Sequence, residues 1–145
     1  MTGIRGVWLQ EAGGANLFTV VSIIQQYPGH ATQVGMVAGQ CAVGATNGRF
    51  VVVDDDDIDP ANLQAVIWAI CTRSDPARSM QLIRRSFSSP IDTGVLPGEI
   101  HNSRMMIDAC KPYERIRSFL AAVKVDAGRM ESAKKKWGFL LNSKR

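Results

Sequence analysis

Residues 49–60 read RFVVVDDDDIDP: an apolar run from Phe50 to Val53 passes straight into five aspartates within six residues, Asp54 to Asp57 and Asp59. A strand that is apolar without alternation is covered on both faces, so this run belongs in the middle of a sheet flanked by helices. The acids that follow carry like charges that resist simultaneous ionisation if buried, so some must face water or meet partners. Alternate side chains of an extended chain point to opposite faces, so Asp54 and Asp56 oppose Asp55 and Asp57, and the four cannot grip one ion. Counted from Asp54, an EF-hand loop would need glycine where Asp59 stands and a carboxylate where Ala65 stands. No metal ligands are assigned to them. The acids read instead as a strand end whose charges complement the start of the next helix, with Asp59 as N-cap, Pro60 at the first helical position and Asp55 solvated.

Outward from this stretch the elements alternate. Leu63, Val66, Ile67 and Ile70 form the stripe of a helix from Pro60 to Thr72. Upstream, Val7 to Leu9 and Leu17 to Ile24 are rich in Val, Ile, Phe and Trp and bracket a Gly13-Gly14 turn, a hairpin pattern. After Pro28-Gly29, the residues Val34, Val37, Ala38 and Cys41 follow the i, i+3, i+4, i+7 spacing of one helix face. Downstream, Met80 to Ile83 reads as a strand, and Ser86 to Arg104, rich in Ser, Pro and Gly, as a long surface loop. A last helix starts near Asp126, with Ala127, Met130 and Trp137 on one face and Arg129, Lys134 and Lys136 away from it. The order predicts an α/β fold over a single domain, residues 1–145: a three-layer sandwich with a central mixed β-sheet and a C-terminal helix.

Composition narrows the function classes. With 145 residues, 46% hydrophobic and 21% charged, the chain has the balance of a globular domain. It has no apolar run near the roughly 20 residues of a spanning helix, and its start lacks a secretory pattern. The three cysteines, Cys41, Cys71 and Cys110, have no pairing signature and read as buried thiols, which together with the missing secretory pattern predicts a cytoplasmic protein. The net charge of +4 is concentrated at Lys134 to Lys136 and Lys144-Arg145, a solvated helix face with no aromatic interleaving for nucleic acid. Neither a nucleic-acid nor a membrane partner is expected.

Catalytic residues are not assigned either. No GxGxxG, P-loop or GxSxG occurs, and the two histidines, His30 and His101, lie in loop or helix-start contexts. A hydrogen-bonded structural histidine is the plain reading of both. His30 is the one candidate for substrate binding, because anions collect at helix starts.

Several stretches carry a family likeness. GVWLQEAGGANLFTVVSIIQQYPGHATQV, GRFVVVDDDDIDPANLQAVIWAICTRSDPAR with SSPID, and NSRMMIDACKPYE followed by KKKWG resemble, in this order, the C-terminal part of UbiD-type decarboxylases. The likeness runs from about Gly3 to Gly138. It implies part of a reversible, non-oxidative decarboxylase of aromatic or α,β-unsaturated acids. Such an enzyme uses prenylated FMN with a divalent metal, manganese, and potassium. In that family the flavin phosphate, the metal ligands and the Glu/Arg catalytic network belong to preceding domains, so this chain is expected to bind no cofactor alone. The implied partner carries the flavin-binding domain. The domain resembled here closes over the cofactor cleft and makes homo- or hetero-oligomer contacts, its last helix reaching a neighbouring subunit. Family members often carry a basic residue before the acidic strand, where this chain has Cys41-Ala42-Val43-Gly44. His30, in YPGHA, falls on a recurrent motif position without an assigned role. The alternative is a non-catalytic oligomerisation or regulatory module that pairs with full-length relatives.

Overall fold

The computed structural model describes residues 2–120 and 126–141. Five strands form one mixed sheet: β1 (Ile4–Leu9), β2 (Phe18–Ile23), β3 (Phe50–Asp55), β4 (Met80–Phe87) and β5 (His101–Asp108), in the order β1-β2-β3-β5-β4. The three inner strands are parallel, and the two edge strands run antiparallel to them. The helices are α1 (His30–Gln40), the short α2 (Ala42–Thr46), α3 (Leu63–Arg73) and α4 (Ala127–Leu141).

The VVV run is the centre of the fold, as its continuous apolarity predicts. Val51 and Val53 pack with Val21, Ile23, Ala31 and Val34 on the α1 side. Val20 and Val52 pack with Ile58, Val66 and Ala69 on the α3 side. The sandwich is therefore α1, sheet, α3. The close approach of α1 to β5 depends on Gly35, where a Cβ would overlap Met106.

The β1–β2 hairpin forms as read, with Leu9 opposite Thr19. Other expectations need correction. The loop expected over Ser86 to Arg104 is confined to 88–100, because β4 extends to Phe87 and a fifth strand begins at His101. That strand gave no signal because NSRM is polar and unbranched. Its Asn102 is committed to the loop by a bond to Asp92, and Arg104 is buried against α2. His101 accordingly lies in a strand, not a loop.

The α3 start also differs. Asp59 to Asn62 close a turn of their own, with Asn62 N–H donating to the Asp59 carbonyl at 3.0 Å and Asp59 Oδ1 accepting from Ala61 N–H at 3.0 Å. The helix opens after it, so Asn62 is the N-cap, accepting from Ala65 N–H at 3.2 Å. In α1 the buried residues include Ala31, Val34 and Gly35, while Val37 and the following Cys41 face outward. Cys41 and Cys71 are exposed, and only Cys110 is the buried thiol expected of all three. In α4, Lys134 lies four residues after Met130 and so borders the apolar stripe instead of opposing it.

Arg104 locks one corner. Its guanidinium donates to the carbonyls of Gly44 (2.8 Å), Asn47 (2.7 Å), Gly48 (2.9 Å) and Phe87 (2.6 Å), and to that of Ala45. It thereby satisfies the carbonyls left open at the end of α2 and over the turn into β3. The CAVG stretch is thus a helical turn held by Arg104, with Gly44 tight against the Ala38 carbonyl. A lysine has one nitrogen and cannot span this set. Arg104→Lys and Arg104→Met should each lower stability by roughly 3 kcal/mol, since several buried carbonyls lose their donor. Denaturant midpoints check this, and a change under a third of that size would mean that water replaces the guanidinium.

Candidate functional site

Strands β2, β3 and β5 end at the same edge of the sheet, the edge outside which open α/β folds bind ligands. A cleft of about 330 Å³ lies there, lined by Gln25, Thr32, Arg73, Asp108, Lys111 and Tyr113 among others. The acidic run enters this edge and is met by cations. Asp57 accepts both Arg73 guanidinium nitrogens, at 2.9 and 2.8 Å, and the Lys111 ammonium lies 2.7 Å from its Oδ2. Asp55 accepts from Gln25 Nε2 at 2.7 Å and from Lys111 N–H at 2.8 Å, with Arg73 3.5 Å away.

Asp55 is buried, which corrects its reading as a solvated acid. The charges do not serve the start of α3 either; they gather Arg73 from its end and Lys111 from beyond β5. No spacing rule links Asp57 to residues 16 and 54 positions away, and the knot appears only when the chain folds. The one hint in the sequence is that Arg73 closes the last turn of the α3 stripe.

The donor set does not fit a divalent ion. Asp55 and Asp57 are saturated by internal donors, and Asp54 points to the opposite side of the sheet. Among the described residues no group of three or more His, Cys, Asp or Glu is arranged to hold a metal. Acid–base chemistry is equally constrained. The Asp57 carboxyl keeps its burial cost but is held down to about 2 by hydrogen bonds and charge from Arg73 and Lys111, which makes it a poor base near neutrality. Burial pushes the Cys110 thiol up, so it is no nucleophile.

Asp54 differs from its neighbours. It stands in register with Ser22, faces the α3 side with no exposure, and neither carboxylate oxygen has a hydrogen-bond partner. Burial raises it to about 7 against the opposing pull of Arg73. That value suits proton transfer, but no solvent-facing atom of the group can meet a substrate.

His30 is also fully buried. Its Nδ1 accepts the Gln26 N–H at 3.3 Å, its ring packs on Tyr27 with centroids 4.6 Å apart, and Nε2 has no partner. In this conformation no ring atom is offered to a ligand. His101 sits 3.5 Å from Glu99 at the other end of β5.

A second concavity is apolar. Between β1–β2 and α1–α2 runs a groove of about 310 Å³, with Ile4, Val7, Leu9, Val37 and Val43 on its walls. All five are exposed. No helix among the described residues is long and apolar enough to cross a membrane.

The sequence and the fold match a known family. The profile of the 3-octaprenyl-4-hydroxybenzoate carboxy-lyase C-terminal domain covers residues 1–109, and the chain belongs to that family. Among solved structures it is similar to the vanillic acid decarboxylase of Sedimentibacter hydroxybenzoicus. In the open form of that enzyme the identity is 26% and the TM-score 0.73, covering 99% of this chain and 31% of that one. The closed form also gives 0.73, with 25% identity over 98% of this chain and 30% of that one. The UbiD-class enzyme HmfF from Pelotomaculum thermopropionicum, solved with FMN, shares the fold at a TM-score of 0.75 and 21% identity, over 91% of this chain and 29% of that one. The chain thus spans under a third of the length of these relatives.

Asp54 makes the pH dependence of stability testable. Its folded value lies above its unfolded one near 3.8, so its stabilising effect is complete below about pH 4 and is lost as pH rises towards 7. Asp57, lowered, acts in the opposite sense and stabilises above about pH 4, an effect lost as pH falls towards 2. Asp54→Asn should flatten the neutral limb and, at pH 8, stabilise by up to about 4 kcal/mol. Urea midpoints at pH 5 and pH 8 decide; an unchanged pH slope in the variant would place the charge on a solvated group.

Proposed function

We propose that this chain is the C-terminal part, or a subunit equivalent to it, of a UbiD-like reversible, non-oxidative decarboxylase of aromatic or α,β-unsaturated acids. The observation that carries the reading is the match of 99% of this chain, at 26% identity, to 31% of vanillic acid decarboxylase. On this reading prenylated FMN, its metal and the groups that move protons are on the remainder, carried by a partner chain or by a longer form of this one. The residues of this chain then act by shape and contact. The Asp57–Arg73–Lys111 knot stiffens the sheet edge, and the groove and α4 supply surfaces for other parts of the assembly. The domain serves as the cleft-closing and subunit-joining piece, with α4 reaching a neighbouring subunit.

Two measurements test this. Calorimetric titration of the pure chain with FMN and with manganese should give no micromolar binding, because the sequence has no phosphate-cradling glycine loop and among the described residues no acids are arranged to hold a metal. Micromolar affinity for either would overturn the division of labour. Affinity purification from the native source should bring down a polypeptide with flavin absorbance, and the complex should decarboxylate an aromatic acid. Turnover that is unchanged when this chain is stripped away would favour the non-catalytic oligomerisation or regulatory module instead.

A further inference from the structure

Two buried polar groups at the carboxyl end of β3 lack partners, and they are complementary. Asp54 has no exposure, and both of its carboxylate oxygens are without a hydrogen bond. The Arg73 side chain is 2% exposed, and its Nε–H is likewise unpaired. An acceptor and a donor that are both shut off from water are costly to leave unsatisfied. What withholds the donor is the rest of the guanidinium, whose two terminal nitrogens are forked onto Asp57 at 2.9 and 2.8 Å.

The groups around Asp54 offer it little else. From β2, Ser22 stands in register with it but commits its hydroxyl to the Asp55 carbonyl at 3.3 Å. From α3, Val66 and Ala69 are apolar and fully buried. From β5 comes another acid, Asp108, whose Oδ1 accepts from Cys110 N–H at 2.9 Å. Burial, with the charges of Asp55, Asp57 and Asp59, raises Asp54 to about 7 against the pull of Arg73. The two acids that can claim Arg73 are unequal. The Asp57 side chain is 44% exposed and keeps the Lys111 ammonium at 2.7 Å, so it tolerates the loss of the guanidinium. An ionised Asp54 has neither water nor a second cation. Protonated, it needs no counter-charge; ionised, it is the acid that gains most from one.

We propose that Arg73 is a proton-controlled latch: with Asp54 protonated its guanidinium closes on Asp57, and with Asp54 ionised it turns to Asp54 and leaves Asp57 to Lys111 and water. The turn alters the cleft at this edge, which Arg73 and Lys111 both line. It also loosens the tie between the last turn of α3 and the sheet. The guanidinium lies over the Trp68 ring at 5.2 Å in the closed state, so the same turn changes the surroundings of that ring.

NMR titration of the full chain tests the latch. The Asp54 carboxyl carbon should titrate at about pH 7, and the Arg73 Nε–H and Trp68 ring signals should shift in the same step with the same midpoint. Below that step the guanidinium should show a coupling across its hydrogen bond to the Asp57 carboxyl carbon, and above it to the Asp54 carboxyl carbon. Asp54→Asn is neutral at every pH, as protonated Asp54 is, so it should keep the fork on Asp57 and abolish the step at Arg73 and Trp68. A step that persists in this variant belongs to another group, His30 and His101 included, and overturns the proposal. An Asp54 that titrates while the guanidinium stays coupled to Asp57 overturns it too, as does an Asp54 already ionised at pH 5. These last two outcomes are read from the wild type alone, so they decide even if the variant does not fold.

Discussion

One ionic knot, built around the buried Arg73 and Asp55 and open to water at Asp57, holds the parts of this domain in place. Arg73 leaves the last turn of α3 and enters the sheet edge with its side chain almost wholly buried between Asp55 and Asp57. Lys111, beyond the end of β5, meets the same Asp57 through its side chain and Asp55 through its backbone. Two segments that are distant in sequence are therefore fixed to the end of β3. The stabilisation from such a pair is small relative to an apolar replacement, but loss of the acids around the buried Arg73 strands its charge and costs several kcal/mol. The knot thus fixes where α3 and β5 end more than it adds to overall stability.

The same charges define what the edge can do. A ligand-binding position in an open α/β sheet is occupied here by acids already matched to cations, and the cleft beside them is built on mutual neutralisation. The carboxyl with a value near neutrality, Asp54, is the one sealed beneath α3. A proton-transfer role and a metal-ligand role both require an accessible group, which the fully buried Asp54 is not. What this chain offers outward is apolar: the groove, the outer face of α3 and the stripe of α4.

Arg104 plays for the α1 side of the sheet the part that Arg73 plays for the α3 side. One gathers carboxylates and the other gathers carbonyls. Both are side chains that the hydrophobic pattern would assign to solvent, and both are buried because the backbone or acid groups around them would otherwise lack partners. Ser88, Gly94 and Asn102 converge on Asp92 in the same way and give the 88–100 loop a fixed internal frame.

The sequence by itself determined the sheet centre, the hairpin, the three long helices and the layer order. The reason is that unbroken valines and 3.6-residue stripes are local statements about which side chains leave water. It also carried the family, through RFVVVDDDDIDP and the tryptophan-bearing helix after it. It did not determine β5, whose polar beginning is buried only because α2 and the loop close over it. Nor did it determine the start of α3, where a local turn at Asp59 competes with the helix and displaces the cap to Asn62. The partners of the aspartates were decided by tertiary structure alone. Like charges adjacent in sequence can be resolved by water, a metal or distant cations; strand alternation already set Asp54 opposite Asp55 and Asp57, but only the folded chain brings Arg73 and Lys111 to Asp57.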